Sequence, residues 1–367
     1  MVEATLISRD LSTQLNKWYT YILENDVQNA RKLKDKITDL IDSITTKDFP
    51  TYLHTKLIEL SHYVLEKDSI KAGEVLQQLE SHEELLFEKL GFYYYFFRGQ
   101  YEFMEDNFES SLDNYMKAEK YLKYVEEQFE IAEYHYKLTA AYYFRRQTIF
   151  SLSHLAKAQE LFDLSDKKNI VRSADSQMAY GLIYIDMKQY DLAEEKFHTA
   201  YMYSKQVEDQ QLVNRVLHNL GFFYAEQRLS EAAIRYLKPI AMNEDYEHNI
   251  KALFLVCREY CRMGINNEGI HAFNRALSYL EKTENIEYKY KFQLLKVLYL
   301  DNTNIDNDLF NESISYFKQK QLWDSVEVYS KLIAQAYSKN SNLEQAVFYY
   351  EMAQAANHTI FEMEALK

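Results

Sequence analysis

Residues 180–204 read YGLIYIDMKQYDLAEEKFHTAYMYS, and the spacing within this stretch decides the fold. Gly181 and Tyr184 lie three residues apart and fit one face of a first helix. The apolar positions of a second helix are Tyr190, Ala193, Phe197 and Ala200. A small residue on the first helix lets the second approach closely, and the aromatic residues fill the remaining space. The stretch therefore predicts two helices packed against each other.

A second copy of the pattern follows directly. Its positions are Gly221, Tyr224, Leu229, Ala232 and Tyr236. Gly181 and Gly221 are 40 residues apart, compared with about 34 in the standard tetratricopeptide repeat. We interpret both copies as tetratricopeptide units with longer helices or turns. Because one such unit cannot bury its own apolar face, the pattern predicts a stacked array.

The composition favours an all-α fold. Only 7 Gly and 2 Pro occur among 367 residues, which leaves few residues that break helices. The 33 Tyr suit such an array, since a tyrosine ring can pack while its hydroxyl reaches a polar partner. The formal charge of -14 disfavours nucleic acid and anionic membranes and favours basic proteins or peptides as partners. We find no signal peptide and no run of about 18 apolar residues, and so expect a cytoplasmic protein.

Residues 1–65 lack the repeat spacing and predict an N-terminal three-helix bundle. The first helix is expected over Leu11–Glu24, and Asp26 is placed to cap a second helix over Val27–Ile44. Pro50 suits the first turn of the third helix. The bundle would thus be a domain distinct from the repeats.

The remaining chain is expected to hold a hinge or linker helix at 66–81 and a repeat domain at 82–367. This repeat domain has room for about seven helix pairs, although residues 287–320 match the repeat pattern only weakly. Such a stack predicts a right-handed superhelix whose concave wall binds an extended peptide or a partner helix. Diagnostic positions of the other pairs are Gly99, Tyr115 and Ala118; Leu138, Leu155 and Ala158; Cys257, Gly269 and Phe273; Ala334, Ala346 and Ala353.

The sequence contains no catalytic motif that we recognise, and we expect neither a cofactor nor a metal. It has no glycine-rich phosphate loop, no nucleophile elbow and no paired-histidine metal motif. Cys257 and Cys261 are four residues apart on one predicted helix, which is an awkward geometry for a disulfide, and we interpret them as buried thiols. The aromatic run at 93–97 is interpreted as core packing between bundle and repeats.

Three stretches together resemble the Rap proteins of bacilli. They are LNKWYTYILENDVQNARKLKDKI at 15–37, FYYYFFRGQYEF at 92–103 and AYYFRRQTIFSL at 141–152. The resemblance runs nearly the full length of the chain. It implies a quorum-sensing regulator that binds a bacterial response regulator and is switched by a short, re-imported Phr peptide. Some Rap proteins dephosphorylate a sporulation response regulator, and others block the DNA-binding domain of a competence regulator.

The resemblance also locates the position that decides phosphatase activity. Phosphatase members carry a Gln between the second and third helices that orients the attacking water. An ungapped alignment puts Phe49 at this position, in the segment TTKDFP that starts at Thr45. A phenyl ring cannot position a water, so classical phosphatase activity is in doubt. A shifted alignment, or another amide such as Gln28 or Asn29, is the alternative.

Three further residues are implied as peptide contacts. Asn219, in VLHNLG, matches a family Asn that grips the peptide backbone, and a carboxamide supplies both the donor and the acceptor that this requires. Asp186, in YIDMKQY, matches an acidic position that meets a basic peptide residue, and Glu226 would extend the same negative wall. A solvent-exposed Asn and solvated carboxylates are the alternatives.

We therefore interpret the chain as a Rap-like regulator that inhibits a response regulator by binding it and is itself inhibited by a signalling peptide. The first alternative is an active response-regulator aspartate phosphatase. The second is a peptide-sensing transcription factor, which is disfavoured because residues 1–65 mix acidic and basic residues where a DNA-reading helix would be basic.

Overall fold

Helices joined by short turns account for nearly all of the chain that can be described. In the computed structural model these are residues 2–43, 49–164, 170–282, 285–300 and 306–364. They form eighteen α-helices and no strand, as the all-α prediction requires. By its internal contacts the chain divides into unit 1, Met1–Arg145 with Ile149–Lys167, and unit 2, Arg146–Thr148 with Lys168–Lys367.

Unit 1 contains the predicted bundle and the first two helix pairs. Its helices are α1 Val2–Leu23, α2 Val27–Ser43, α3 Phe49–Glu66, α4 Ser69–Glu80, α5 Glu88–Met104, α6 Phe108–Glu119, α7 Gln128–Phe144 and α8 Thr148–Leu164. Asp26 caps α2 as predicted, because its carboxylate accepts the backbone N–H of Asn29 at 3.1 Å. Pro50 lies in the first turn of α3, also as predicted.

The bundle shares one hydrophobic core with α5 and α7. Tyr19 of α1 meets the rings of Tyr93 and Phe97 on α5 edge to face, at centroid distances of 5.5 and 5.8 Å. Both α5 rings are nearly fully buried, so the aromatic run at 93–97 packs between bundle and repeats as predicted. The boundary at 65 falls at the end of α3 and the boundary at 81 directly after α4, both inside unit 1. The division into bundle, hinge and repeat domain stays a prediction about function.

Unit 2 contains five further helix pairs. Its helices are α9 Ile170–Asp186, α10 Tyr190–Ser204, α11 Gln210–Glu226, α12 Ser230–Ala241, α13 Asn249–Arg262, α14 Asn266–Leu280, α15 Ile286–Leu295, α16 Asn307–Gln319, α17 Trp323–Lys339 and α18 Leu343–Glu364. A π-helical turn, Lys296–Leu300, extends α15. With α5–α8 this makes seven pairs, which confirms the predicted number. The stretch at 287–320, which matches the repeat pattern only weakly, contains the pair α15–α16.

The two glycines that define the repeat lie where two helices touch. A Cβ added to Gly181 would lie 2.5 Å from Cε1 of Phe197, and one added to Gly221 would lie 2.3 Å from Cγ of Leu237. Both distances are far below van der Waals contact, so no larger residue fits unless the facing side chain or its helix shifts. Close approach within each pair is thus the physical reason for the glycine spacing.

Most turns within the pairs use residues other than glycine in the left-handed conformation. The backbone φ angles of Arg146, Lys188 and Arg228 are 61°, 57° and 60°, and each of these residues is the second after the end of a first helix. Such residues end a helix by satisfying its last carbonyl groups. The low glycine count is therefore compatible with many short turns.

Two further observations concern the cysteines of unit 2 and the length of the helices. Cys257 and Cys261 are free, buried thiols on α13, and the Cys257 thiol donates to the carbonyl of Gly269 at 3.3 Å. None of the helices in the described part of the chain has both the length and the apolar character needed to cross a bilayer.

Candidate functional site

The predicted peptide contacts lie on equivalent faces of α9 and α11. Asp186 and Glu226 are the last residues of these helices and occupy the same place in successive repeats, 40 residues apart. Asn219 precedes Glu226 by seven residues, or two helical turns, so both side chains share one face of α11. We call this face, with Asp175 and Arg215 further along the two helices, the polar stripe.

Asn219 is half-buried and has no hydrogen-bond partner within the described residues. Its neighbour His218 is held neutral, since burial lowers the pKa of that imidazole to about 3. The carboxamide of Asn219 is therefore the available polar group at this point of α11, with both a donor and an acceptor. This geometry is compatible with the predicted role.

Asp186 forms an ion pair with Arg146, another residue of unit 2. Nη1 of Arg146 lies 3.7 Å from Oδ2 of Asp186, and Nη2 of the same guanidinium contacts the carboxylate of Asp324 at the start of α17. The side chains of Arg146 and Asp186 are each roughly one quarter exposed. A basic group of a ligand would have to share Asp186 with Arg146 or displace it.

Glu226 is also paired. Nη2 of Arg258 on α13 lies 3.3 Å from Oε1 of Glu226, while Nε of the same residue lies 2.9 Å from Oε1 of Glu259. Glu259 is fully buried and is also contacted by Arg262 at 2.8 Å. The expected negative wall is thus partly neutralised by arginines from other helices.

The stripe continues with a buried ion-pair group that the sequence analysis missed. Asp175 on α9 accepts from Arg215 on α11 at 3.1 Å and from Arg172 at 3.3 Å. Arg215 lies one turn before Asn219 and 40 residues after Asp175. Had the repeat offset been applied to charged residues, it would have placed these two at equivalent positions.

The position implied for catalysis carries no amide. Phe49 begins α3, is 40% exposed and packs beside Tyr52 and His82 at centroid distances of 5.8 and 5.1 Å. Thr45, where the TTKDFP segment starts, lies outside the described residues. The alternative amides Gln28 and Asn29 are in the first turn of α2, and Asn29 is hydrogen-bonded to Asp26 at 2.6 Å. That turn is roughly 20 Å along the helix axis from the end of α2 that precedes Phe49.

Comparison with known proteins gives a consistent result. The model for the N-terminal region of response regulator aspartate phosphatase H matches residues 5–65. Regulatory protein RapC of Bacillus subtilis (strain 168) is 27% identical over 381 residues, which covers 100% of this chain and 99% of the relative. Regulatory protein RapF of the same organism is also 27% identical, over 94% of this chain and 93% of the relative.

The chain is similar to the Rap family along its whole length.

Solved structures agree on the Rap fold. A Rap protein complexed with competence and sporulation factor superposes with a TM-score of 0.86 at 24% identity, covering 97% of this chain and 99% of that one. The apo form of the quorum sensor NprR from B. thuringiensis superposes with a TM-score of 0.77 at 16% identity, covering 95% of this chain and 99% of that one. Both likenesses extend over nearly the whole chain, so the all-α fold seen here is shared with these two structures.

Proposed function

We propose that this Rap protein binds and inhibits a bacterial response regulator and is itself controlled by a short linear peptide. The observation that carries the proposal is Asn219, a carboxamide without a partner among the described residues, on a helix face flanked by Asp186 and Glu226. An extended peptide needs such a donor and acceptor for its backbone, and carboxylates for its basic side chains. The complex of a Rap relative with competence and sporulation factor supports this assignment by analogy.

The outer face of α2 is the proposed response-regulator surface. Within the described contacts α2 packs on α1 and α3, which leaves Lys32, Asp35 and Lys36 exposed. The residues matched by the family model, 5–65, include this helix. A mixed-charge face of this kind suits a specific protein partner, because charge pairs across an interface fix orientation.

The peptide is proposed to act as an inhibitor by favouring the arrangement in which α1 and α3 pack on α5 and α7. Tyr19, Tyr93 and Phe97 are buried in that arrangement, so releasing the bundle would expose them to water. A ligand that binds one arrangement better than another shifts the population toward it. Small-angle scattering with and without peptide tests this step, and an unchanged radius at saturation would rule it out.

The partner surface is tested by charge reversal on α2 rather than by deleting residues 1–65, because the deletion would expose the core on α5. We expect Lys32→Glu with Lys36→Glu to abolish co-purification with the cognate response regulator while peptide binding is retained. The matched control is Lys318→Glu with Lys320→Glu, two exposed lysines of unit 2. If the α2 variant keeps wild-type affinity for the regulator, the surface is misassigned.

A second candidate function is response-regulator aspartate phosphatase. It is favoured by relatives that carry this name, among them response regulator aspartate phosphatase H at 24% identity over 98% of this chain. Phe49 at the expected amide position opposes it. Phosphate release from a phosphorylated receiver domain separates this candidate from inhibition by binding alone.

A further inference from the structure

A cavity of about 650 Å³ lies within unit 1, where the bundle meets the first repeats. Its size is in the range of small-molecule sites. Four helices and the turn before α7 contribute to it. The lining residues are Asn16, Tyr19, Thr20 and Leu23 of α1; Pro50, Thr51 and His54 of α3; Lys89, Leu90 and Tyr93 of α5; and Glu127, Phe129 and Glu130 at the start of α7.

Aromatic rings form part of its wall. Tyr19 and Tyr93 meet edge to face at 5.5 Å, and His54 stacks on Tyr93 with an interplanar angle of 12°. Burial lowers the pKa of His54 to about 4, so its ring is neutral at physiological pH. The wall therefore offers neutral π faces, which attract cations electrostatically.

The charge of the cavity is net negative. Among its lining residues the carboxylates of Glu127 and Glu130 outnumber the single ammonium of Lys89. Glu130 is buried, and both of its oxygens accept from the hydroxyl of Tyr93, at 3.0 and 3.2 Å. A carboxylate held in this way beside aromatic faces is suited to a second, charge-assisted hydrogen bond from a cationic donor.

Lys89 already shows how an ammonium group fits. Its Nζ lies 3.9 Å from Oε2 of Glu130 and 5.6 Å from the ring centroid of Tyr93. These are ion-pair and cation–π distances at the long end of their ranges. Because 44% of the Lys89 side chain is exposed, it can leave the cavity without disturbing the core.

The hydroxyl of Tyr19 is the least satisfied polar group of the cavity. Tyr19 is 8% exposed, and its buried oxygen has no hydrogen-bond partner among the described residues. Burial, and then the negative charge of Glu130, raises the pKa of this phenol well above its ordinary value, so it keeps its proton. A buried hydroxyl of this kind is normally paired, which points to a polar group of a ligand.

We propose that this cavity binds a compact organic cation, with an ammonium or guanidinium group paired to Glu130 over the ring of Tyr93 and a polar group hydrogen-bonded to Tyr19. The ligand takes the place of Lys89 at the carboxylate. Since α1 and α3 form one side of the cavity and α5 and α7 the other, the ligand bridges the bundle and the repeats. This site is separate from the polar stripe and does not depend on the function proposed above.

The test is calorimetry on the full-length chain with agmatine as the probe and pentanamide as a neutral control. We expect agmatine to bind and pentanamide not to bind. Glu130→Gln should lower the agmatine affinity by at least about 10-fold, because it removes a charged partner. Lys89→Met should raise the affinity, because it removes the competing ammonium. The matched control is Glu126→Gln, which changes an exposed carboxylate that does not line the cavity, and it should have no effect.

Tyr19→Phe provides an independent arm that keeps the aromatic wall. It should lower agmatine affinity about 5-fold through the lost hydrogen bond, while the thermal midpoint stays close to that of the wild type. The proposal is overturned if agmatine does not bind, if pentanamide binds equally well, or if Glu130→Gln and Glu126→Gln have the same effect.

Discussion

The indole N–H of Trp18 donates to Nδ1 of His62 across 3.2 Å and so joins α1 to α3 inside the bundle. Both side chains are almost completely buried, and their rings meet edge to face at 5.4 Å. Because Nδ1 accepts, the proton of the neutral imidazole is on Nε2, which lies 3.4 Å from Oε2 of Glu66. Protonation of Nδ1 would place two N–H groups against each other.

This relationship predicts an acid-sensitive bundle. Burial lowers the pKa of His62 from 6.5 to about 4, although Glu66 opposes the shift. The stability that His62 contributes is therefore complete above about pH 6.5 and is lost as the pH falls toward 4, at up to about 1.4 kcal/mol per pH unit. Urea unfolding followed by Trp fluorescence between pH 7 and about 4 measures it. His62→Gln should reduce this slope only by the contribution of His62, because burial also lowers the pKa values of His54 and His218 and both titrate in the same direction. His358→Gln, an exposed control, should leave the slope unchanged.

The contact between Gly221 and Leu237 predicts a steric effect. Gly221→Ala should reduce the free energy of unfolding by about 1–3 kcal/mol, because the added methyl group overlaps Leu237. Gly73→Ala on α4 is the control, since its Cβ would meet only the Tyr101 hydroxyl, at 3.2 Å. The free energy of unfolding of Gly73→Ala should lie within about 1 kcal/mol of that of the wild type, because the higher helix propensity of Ala offsets the contact with Tyr101. Equal losses of unfolding free energy in both variants would show that the overlap with Leu237 is not the cause.

Asn219→Ala should weaken binding of the cognate peptide by roughly 5- to 150-fold, corresponding to about 1–3 kcal/mol of lost hydrogen bonding. The fold should persist because Asn219 is only half-buried and bonds to no described residue. Calorimetry gives the affinity, and Asn274→Ala, at an exposed position on α14, is the control. Wild-type affinity in Asn219→Ala would remove this residue from the site.

Arg146 and Asp186 predict opposite effects on a basic peptide. Arg146→Met should increase affinity, because the Asp186 carboxylate no longer pairs with an internal guanidinium. Asp186→Asn should decrease affinity, and the decrease should shrink as salt screens the lost ion pair. Titrations at two salt concentrations distinguish these outcomes. A change of the same sign in both variants would show that Asp186 does not meet a peptide cation.

Phe49 predicts weak phosphatase activity in the wild-type protein. Phe49→Gln should raise phosphate release from a phosphorylated receiver domain if the carboxamide then reaches the attacking water. Phe49→Leu is the control for the loss of contacts with Tyr52 and His82, and it should show no gain. Wild-type turnover equal to that of a phosphatase relative would mean that another residue positions the water.

The sequence predicts the helices and their pairing well because both depend on local spacing. The contact of Gly181 with Phe197 follows directly from the repeat. In the second copy the predicted positions Ala232 and Tyr236 were wrong by one residue, because Ala233 and Leu237 are the buried residues of α12 and Leu237 is the one that meets Gly221. The site is only partly predictable. Placing Asp186 at a helix end requires only the spacing, but its partner Arg146 is 40 residues away and Asp324 is 178 residues from Arg146. The first separation equals the 40-residue repeat offset, so that offset could have indicated the pair, as for Asp175 and Arg215. No local period indicates the contact across 178 residues with Asp324.

The same arginine has a consequence for how unit 2 unfolds. In a linear repeat array each pair interacts only with its immediate neighbours, so melting can spread from a frayed end like a one-dimensional Ising chain. The guanidinium of Arg146 contacts both the end of α9 and the start of α17, and so skips the pairs between them. An exposed ion pair contributes only about 0–1 kcal/mol to stability. These pairs nevertheless couple the unfolding of α9 to that of α17. Because salt screens ion pairs, the melting cooperativity of unit 2 should depend on ionic strength.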